Sequence, residues 1–204
     1  TRKESSAASD VYKRQNTAFG SYAADSVTSG DYNVAMGYNS AGSITTGNNN
    51  VAIGAFALDS VGIAFNMVSI GYKALQKGGS SGTVAIGANA LSKNAGGNPS
   101  VGIGLNALTN TSSANNVIAI GYNAMLSNVS ASNDIAIGTN ALYSDSASGT
   151  NLAVGHNALY NTKSTFNTGI GHYSLQSNTT GDQNTAVGAN SLFSNTKATK
   201  HTQH

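Results

Sequence analysis

Two histidines come nearest in this sequence to the residue type and spacing of a metal site. His156 and His172 occur in successive copies of a similar local sequence, and each directly follows a glycine. Adjacent turns of a repeated fold would place the two imidazoles side by side, where they could hold a transition metal. We favour a variable, exposed position instead, because tyrosine fills it elsewhere, at Tyr38, Tyr72 and Tyr122.

Other residue types that carry catalysis or bind cofactors lack a supporting pattern. His201 and His204 lie in the C-terminal tail without further ligands, and the chain contains no cysteine. The aspartates are sparse and out of register, so neither calcium coils nor a pair of catalytic carboxylates is indicated. Serine is abundant, but abundance does not activate a hydroxyl, and no Gly-Lys-Ser/Thr phosphate loop occurs. The sequence therefore predicts no enzyme, no metal site and no cofactor.

Asparagine recurs two residues after a glycine that itself recurs along the chain. This set of asparagines is the remaining candidate for binding a ligand. Asparagine also tolerates left-handed backbone geometry and bonds to its own main chain, so we interpret the column as turn chemistry. Its members are Asn39, Asn89, Asn106, Asn123, Asn140, Asn157 and Asn190.

One motif returns along almost the whole chain, which indicates architecture rather than catalysis. The stretch NNNVAIGAFAL (48–58) comes back as TVAIGANAL, DIAIGTNAL and NLAVGHNAL. Aligned on the glycine, eleven repeats of nearly constant length follow one another between residues 16 and 196. The structural repeat glycines are Gly20, Gly37, Gly54, Gly71, Gly87, Gly104, Gly121, Gly138, Gly155, Gly171 and Gly188.

Each repeat predicts one short strand before the glycine and a tight turn or second strand after it. Val-Ala-Ile at 51–53 alternates apolar, small and apolar residues, which is the period of a strand with one thin face. Three residues after the glycine only Ala or Ser occurs, and leucine usually follows, as in Ala57 and Leu58. We expect the leucine to pack inward, while the remaining Ser, Thr, Asn, Gly and Asp form turns.

Composition bounds the partners and the domain organisation. Charged residues make up 9%, and the repeats hold four Lys and six Asp, so nucleic acid binding is not expected. No apolar run suits a membrane span, so this segment should not insert into a membrane.

Residues 1–15 break the period of the repeats. Within them, DVYKRQ is the translation of a transposon end used to make sequencing libraries, so we expect residues 1–15 to be a sequencing artefact or a disordered arm. Residues 197–204 are expected to form a flexible tail.

Repeats this short cannot bury an apolar face alone, so they must stack as one parallel β-solenoid with coils about 4.8 Å apart. Two closures stay open. A single chain could close each coil as a narrow β-helix, or three chains could each form an open β-roll around a shared core. The Ala, Ser and Gly columns favour the second closure, because small residues let backbones approach closely. We therefore expect an all-β parallel solenoid that forms a homotrimer.

The motifs NNVAIG, TVAIGANAL and NTAVGANSL resemble the YadA-like head repeats of trimeric autotransporter adhesins and similar arrays in phage tail fibres. The resemblance covers residues 16–196 and implies a trimeric left-handed parallel β-roll with the first half of each motif as its inner strand. The present repeats are slightly longer than those of the adhesins, and residues 1–204 contain no pattern of a heptad stalk, a membrane anchor or a fibre chaperone domain. By position, the resemblance makes the following a core ladder: Val51, Ile53, Val84, Ile86, Val101, Ile103, Ile118, Ile120, Ile135, Ile137, Leu152 and Val154.

These patterns predict a non-enzymatic rod of a bacterial surface adhesin or a phage tail fibre, acting outside the cell. Its receptor, a protein or a glycan on a host or other surface, is not defined by the sequence. The alternative function is an ice-binding single-chain solenoid, although Thr28, Thr45 and Thr46 do not continue as a column. We also expect Ile103→Asp to destabilise the chain far more than Thr111→Asp, if Ile103 is core and Thr111 lies in a turn.

Overall fold

The chain is an all-β parallel solenoid of about eleven turns, as predicted. The computed structural model describes residues 15–130, 132–144 and 149–203, and within these ranges the regular elements are short strands. The strands are β1 Thr17–Phe19, β2 Val34–Met36, β3 Val51–Ile53, β4 Val68–Ile70, β5 Val84–Ile86, β6 Gly96–Gly97, β7 Val101–Ile103, β8 Ser113–Ala114, β9 Ile118–Ile120, β10 Ile135–Ile137, β11 Leu152–Val154, β12 Thr168–Ile170, β13 Thr185–Val187 and β14 Thr202–Gln203.

One strand from each coil joins a single twelve-stranded parallel sheet, and β6 and β8 form a separate pair. The register follows the sequence repeat, so that Val51 pairs with Val68 and Ile53 with Ile70. The turns are also bonded from coil to coil, because the Leu58 amide donates to the Ala74 carbonyl at 3.0 Å. Equivalent positions of successive repeats therefore stack into columns along the rod, and each outward-facing column forms a continuous strip of surface.

The interior of each coil is filled by small residues and leucine. From the second to the tenth coil, the middle residue of the strand, the Ala or Ser column and the column after it are buried, as at Ala52, Ala57 and Leu58. A Cβ added to Gly102, in the middle of β7, would lie 3.0 Å from Leu91 Cδ1 of the preceding coil. The leucines thus pack inward as predicted, and they limit the size of the facing strand residue. The small columns make this contact inside one chain, whereas we expected them to serve the approach of separate chains.

Several corners of every coil require the left-handed backbone region. The repeat glycines have φ between 120° and 138°, and each directly follows a strand. The asparagine two residues later and the leucine four residues later are also left-handed, with φ 60° at Asn106 and 54° at Leu108. A buried leucine in this region is unusual, and its burial together with the coil-to-coil hydrogen bond of its amide holds it there.

A buried column directly precedes the strands, and its asparagines, which fill half of the buried positions, connect successive coils. The Asn50 amide donates to Asn33 Oδ1 at 3.1 Å, and Asn50 Nδ2 donates to the Ala64 carbonyl at 2.7 Å. The same pair of bonds recurs at Asn184, which bonds to Asn167 Oδ1 and to the Ala198 carbonyl. Each amide side chain therefore satisfies a donor and an acceptor of the interior that water does not reach.

Asp134 places a carboxylate in this buried column, where five other coils have the amide of an asparagine. Its Oδ1 accepts from the Asn151 amide at 2.8 Å, but its Oδ2, which cannot donate when ionised, has no hydrogen-bond partner. Burial raises the pKa of the Asp134 carboxyl to about 6, although hydrogen bonds from the Asn151 and Ser132 backbones oppose the shift. The ionised form is thus the less stable one in the folded chain.

We expect Asp134→Asn to stabilise the chain at pH 7 and to remove part of its pH dependence. The folded pKa lies above the unfolded value of 3.8, so the folded chain binds the proton more tightly. The contribution of Asp134 to stability is therefore most favourable below about pH 4 and falls as the pH rises to about 6, by about 3 kcal/mol in total. Urea unfolding of both chains at pH 4 and pH 7 checks this. Equal pH dependence in the two chains would contradict it.

Both ends of the predicted array can be compared with the structure in part. Residues 1–14, which hold nearly all of the suspected artefact, lie outside the described residues. At the other end, the tail continues the period: Thr202 pairs with Thr185 in the sheet, and the His201 amide donates to Asn184 Oδ1. Residues 200–203 therefore continue the period of the repeat, whereas we expected the tail to lie outside it.

Thr111 does not lie in an exposed turn, which corrects the prediction made from its sequence context. It is fully buried, and its Oγ1 donates to the Asn128 carbonyl of the next coil at 2.9 Å. It belongs to a third inner column, seven residues after the glycine, with Ile44 and Val61 in earlier coils. The expected order of the Ile103 and Thr111 substitutions therefore changes.

Candidate binding surface

A continuous apolar ribbon runs along the outer side of the sheet. It consists of the first and third residues of the strands β2 to β5, β7 and β9 to β13, which point away from the buried middle residue. Its members are Val34, Met36, Val51, Ile53, Val68, Ile70, Val84, Ile86, Val101, Ile103, Ile118, Ile120, Ile135, Ile137, Leu152, Val154, Thr168, Ile170, Thr185 and Val187. The exposed fraction reaches 41% at Met36 and 39% at Ile137.

The core ladder predicted from the resemblance therefore does not lie in the interior of the single chain. Its residues are half-buried or exposed, and they are not among the residues packed against the buried core. The alternation of the strand explains the placement, because Ala52 points inward and so Val51 and Ile53 must point outward. The ladder could be core only if another molecule covered it.

A second surface, the aromatic stripe, crosses the first four coils beside the end of each strand. Tyr22, Tyr38, Phe56 and Tyr72 lie one or two residues after successive repeat glycines. The ring centroids of neighbours are 5.8, 5.3 and 6.2 Å apart, with interplanar angles of 90°, 77° and 79°. Edge-to-face packing of this kind stabilises the rings against one another, so the stripe is an ordered surface.

Polar groups border the aromatic stripe on the side of the following turn. Asn39 Nδ2 donates to Asp59 Oδ1 in the next coil, and Ser60 Oγ contacts Asp59 Oδ2 at 3.5 Å. The Lys73 ammonium lies 5.1 Å from the centre of the Tyr72 ring, within reach of a cation–π interaction. The stripe thus combines half-exposed aromatic rings with carboxylate, amide and hydroxyl groups.

The two candidate metal-binding histidines do come together. The His156 and His172 rings stack with centroids 4.8 Å apart and an interplanar angle of 22°, and the Tyr173 ring lies 3.9 Å from that of His172. Within the described ranges, no group of three or more His, Cys, Asp or Glu side chains is placed to hold a metal ion. The pair therefore forms an aromatic cluster with Tyr173. Of the tail histidines, His201 is described and His204 is not.

The asparagine column two residues after the glycine serves the corner, as interpreted. All seven asparagines are left-handed, with φ between 53° and 60°. Some also bond side chain to side chain along the rod, as Asn89 Nδ2 does to Asn106 Oδ1 at 3.1 Å. The turn accounts for the left-handed backbone of these asparagines without a bound ligand.

The sequence also contains a serine motif that was not considered among the catalytic patterns. GGSSG at 78–82 fits the letters of the Gly-x-Ser-x-Gly nucleophile elbow. That elbow needs a strand followed by a helix, whereas here the Thr83 amide donates to the Ser80 carbonyl in a turn before β5. The segment is a loop of the repeat.

The aromatic stripe was also missed at the sequence level, although a signal exists. Tyr38 and Tyr72 were noted only as members of a variable column, and Tyr22 and Phe56 stand one position later in their repeats. A search for an aromatic residue at either of two positions in consecutive repeats would have found all four.

Comparison of the chain with protein-family models, with curated proteins and with solved structures finds no match. Among the described residues, no helix has the length and apolar character needed to cross a membrane. The function must therefore be argued from the two surfaces.

Proposed function

We propose that this chain is the rod of a homotrimeric, non-enzymatic attachment protein of the bacterial surface adhesin or phage tail-fibre kind, working outside the cell. The observation that carries the proposal is the apolar ribbon. A ribbon made mostly of valine and isoleucine along ten strands is a contiguous exposed apolar face, and faces of this size commonly mark sites of interaction with another protein.

The size of the ribbon fits a subunit contact. Ten strands about 4.8 Å apart, each showing two side chains, form a face about 50 Å long and about 10 Å wide. Covering about 500 Å² in each of three chains would remove about 1,500 Å² of mostly apolar surface from water, and this removal favours association.

The narrowness of the ribbon favours three copies. Each strand is three residues long and presents only two outward side chains, as in Val101–Ile103. Three such narrow faces can enclose one axis, each covering parts of the other two. The repeats also resemble those of trimeric adhesin heads, in which the corresponding strand lies at the axis.

Attachment is the task that such a rod suits. A trimeric rod would turn its polar turns and its aromatic stripes outward in three copies. Weak contacts repeated in three chains add up by multivalency, so no single deep pocket is required. The rod would project its binding surface from whatever larger protein carries it.

Ice binding, the alternative from the sequence, receives less support. It would need a flat face with aligned threonine hydroxyls. The flat face of this solenoid carries valine and isoleucine, while Thr28 Oγ1 and Thr45 Oγ1 donate to carbonyls of the following coil at 3.0 and 2.9 Å. Those hydroxyls are engaged within the fold.

The test is the oligomeric state of the chain and of a ribbon variant. We expect sedimentation equilibrium of the 204-residue chain to give three times the chain mass of 20.5 kDa. Ile103→Asp should reduce this to the monomer mass, because a carboxylate would be buried at the axis without a partner.

The matched control replaces an exposed isoleucine outside the ribbon. Ile63 is 62% exposed in a bend of the chain, and Ile63→Asp should leave the trimer intact. A stable wild-type monomer, or equal dissociation by both variants, would refute the assignment of the ribbon to a subunit interface.

A further inference from the structure

We propose that the aromatic stripe binds an extended, β-1,4-linked oligosaccharide lying along the rod axis. The inference deepens the proposed attachment function by naming the class of ligand, and it rests on that function. Aromatic rings pair with the C–H faces of sugars, while carboxylate and amide groups pair with their hydroxyls.

The exposure of the rings makes them available. Tyr38 is 50% exposed and Tyr72 is 48% exposed, although both lie in an ordered row of aromatic contacts. Solvent-exposed rings that are already held in place by their neighbours lose little conformational entropy on binding. A ligand would therefore meet a preorganised surface.

The period of the stripe selects an extended polymer. Coils repeat about every 4.8 Å, and the rings stand alternately two residues and one residue after the repeat glycine, so rings at the same position of the repeat recur about every 10 Å. A β-1,4-linked chain turns each sugar over relative to the last, and two of its sugars span about two coils. Alternate sugars, which present the same face, would therefore meet rings at the same position of the repeat. An α-1,4-linked chain is curved, so it could not follow the straight row of aromatic rings over several sugars.

The chemistry around the stripe agrees with a neutral, hydroxyl-rich ligand. Asn39, which directly follows Tyr38 in the chain, donates to Asp59, whose carboxylate can also accept from sugar hydroxyls. Single-stranded nucleic acids also stack on aromatic rows, but they need a cationic groove. The repeats hold more Asp than Lys, and the only cation placed over a stripe ring in the described contacts is Lys73.

Calorimetric titration of the full chain with cellohexaose and chitohexaose tests the proposal, with maltohexaose as the control for linkage. We expect both β-1,4-linked hexasaccharides to bind and maltohexaose to bind at least about tenfold more weakly. Tyr38→Ala should weaken binding about tenfold. Tyr122→Ala is the matched control and should change binding less than twofold, because Tyr122 occupies the same column as Tyr38 with 48% exposure but outside the stripe.

Three results would overturn the proposal. These are no binding of either β-1,4-linked hexasaccharide by folded wild-type chain, equal weakening by both tyrosine variants, or dissociation of the trimer by Tyr38→Ala with glycan binding unchanged. The last result would assign the stripe to a subunit contact. Sedimentation of the same samples separates the two proposals: a monomer that binds the glycan contradicts only the trimer, and a trimer that does not bind contradicts only the stripe.

Discussion

Gly104→Ala is expected to be among the most destabilising single substitutions in the chain, by about 3 kcal/mol or more. An alanine Cβ at this position would lie 2.4 Å from the Gly121 carbonyl oxygen and 2.7 Å from the Gly121 carbonyl carbon. Both atoms belong to the backbone of the next coil, so neither can rotate away. The φ of 130° at Gly104 adds conformational strain, which costs about 1–3 kcal/mol for a side-chain-bearing residue.

Gly62→Ala is the matched control for this effect. A Cβ added to Gly62 would meet no atom within 4 Å, and its φ lies outside the left-handed region. Replacing such a glycine leaves stability unchanged or raises it by up to about 1 kcal/mol, because the unfolded chain loses freedom. Urea unfolding followed by circular dichroism compares the two variants at one pH. Similar midpoints for them would show that the glycine column does not set the spacing of the coils.

The period and the strand positions could be predicted because they depend on local rules. The glycine column recurs at a nearly constant spacing, and the strand before it shows apolar–small–apolar alternation. Backbone hydrogen bonding between coils then forces parallel, in-register stacking, as between Val51–Ile53 and Val68–Ile70. These features follow from residue types that have few alternatives, since only glycine fits the backbone angle of this corner with a carbonyl so close.

The direction in which each column points was harder to predict. Alternation shows that Ala52 and Ile53 face opposite sides, but hydrophobicity alone favours isoleucine as the buried residue. The structure reverses this because the coil is thin: the left-handed corner brings Leu58 under the strand and leaves space for only a small side chain. A left-handed leucine is not expected from propensity, so the inner face was assigned to the wrong residues for a single chain.

The third inner column was missed because its residues change character along the rod. Ile44 and Val61 in the early coils are apolar, whereas Asn94, Thr111 and Asn128 in later coils are polar, and all five are buried. In sequence the later members resemble turn residues, since Ser, Thr and Asn surround them. Burial of a polar column depends on carbonyl groups of the neighbouring coil, which no local pattern reveals.

Thr111→Asp is therefore expected to unfold the chain at pH 7 far more readily than Thr28→Asp. Both threonines donate through Oγ1 to a carbonyl of the next coil, at 2.9 Å for Thr111 and 3.0 Å for Thr28, but Thr111 is fully buried and Thr28 is exposed. An ionised carboxylate at 111 would face the Asn128 carbonyl, so two acceptors would meet without water. We expect a loss of about 3–5 kcal/mol there and about 1 kcal/mol or less at Thr28.

The pH dependence of the Thr111→Asp variant shows whether its loss of stability comes from a buried charge or from the altered shape of the side chain. At pH 4 a buried carboxyl at position 111 would hold its proton and could again donate to the Asn128 carbonyl, so much of the lost stability should return. Thr111→Val removes the hydroxyl without adding charge and should show a smaller, pH-independent loss. Urea unfolding of the three variants at pH 4 and pH 7 measures these differences. If Thr111→Asp and Thr28→Asp lost equal stability at pH 7, position 111 would be open to solvent and the inner column would be wrongly assigned.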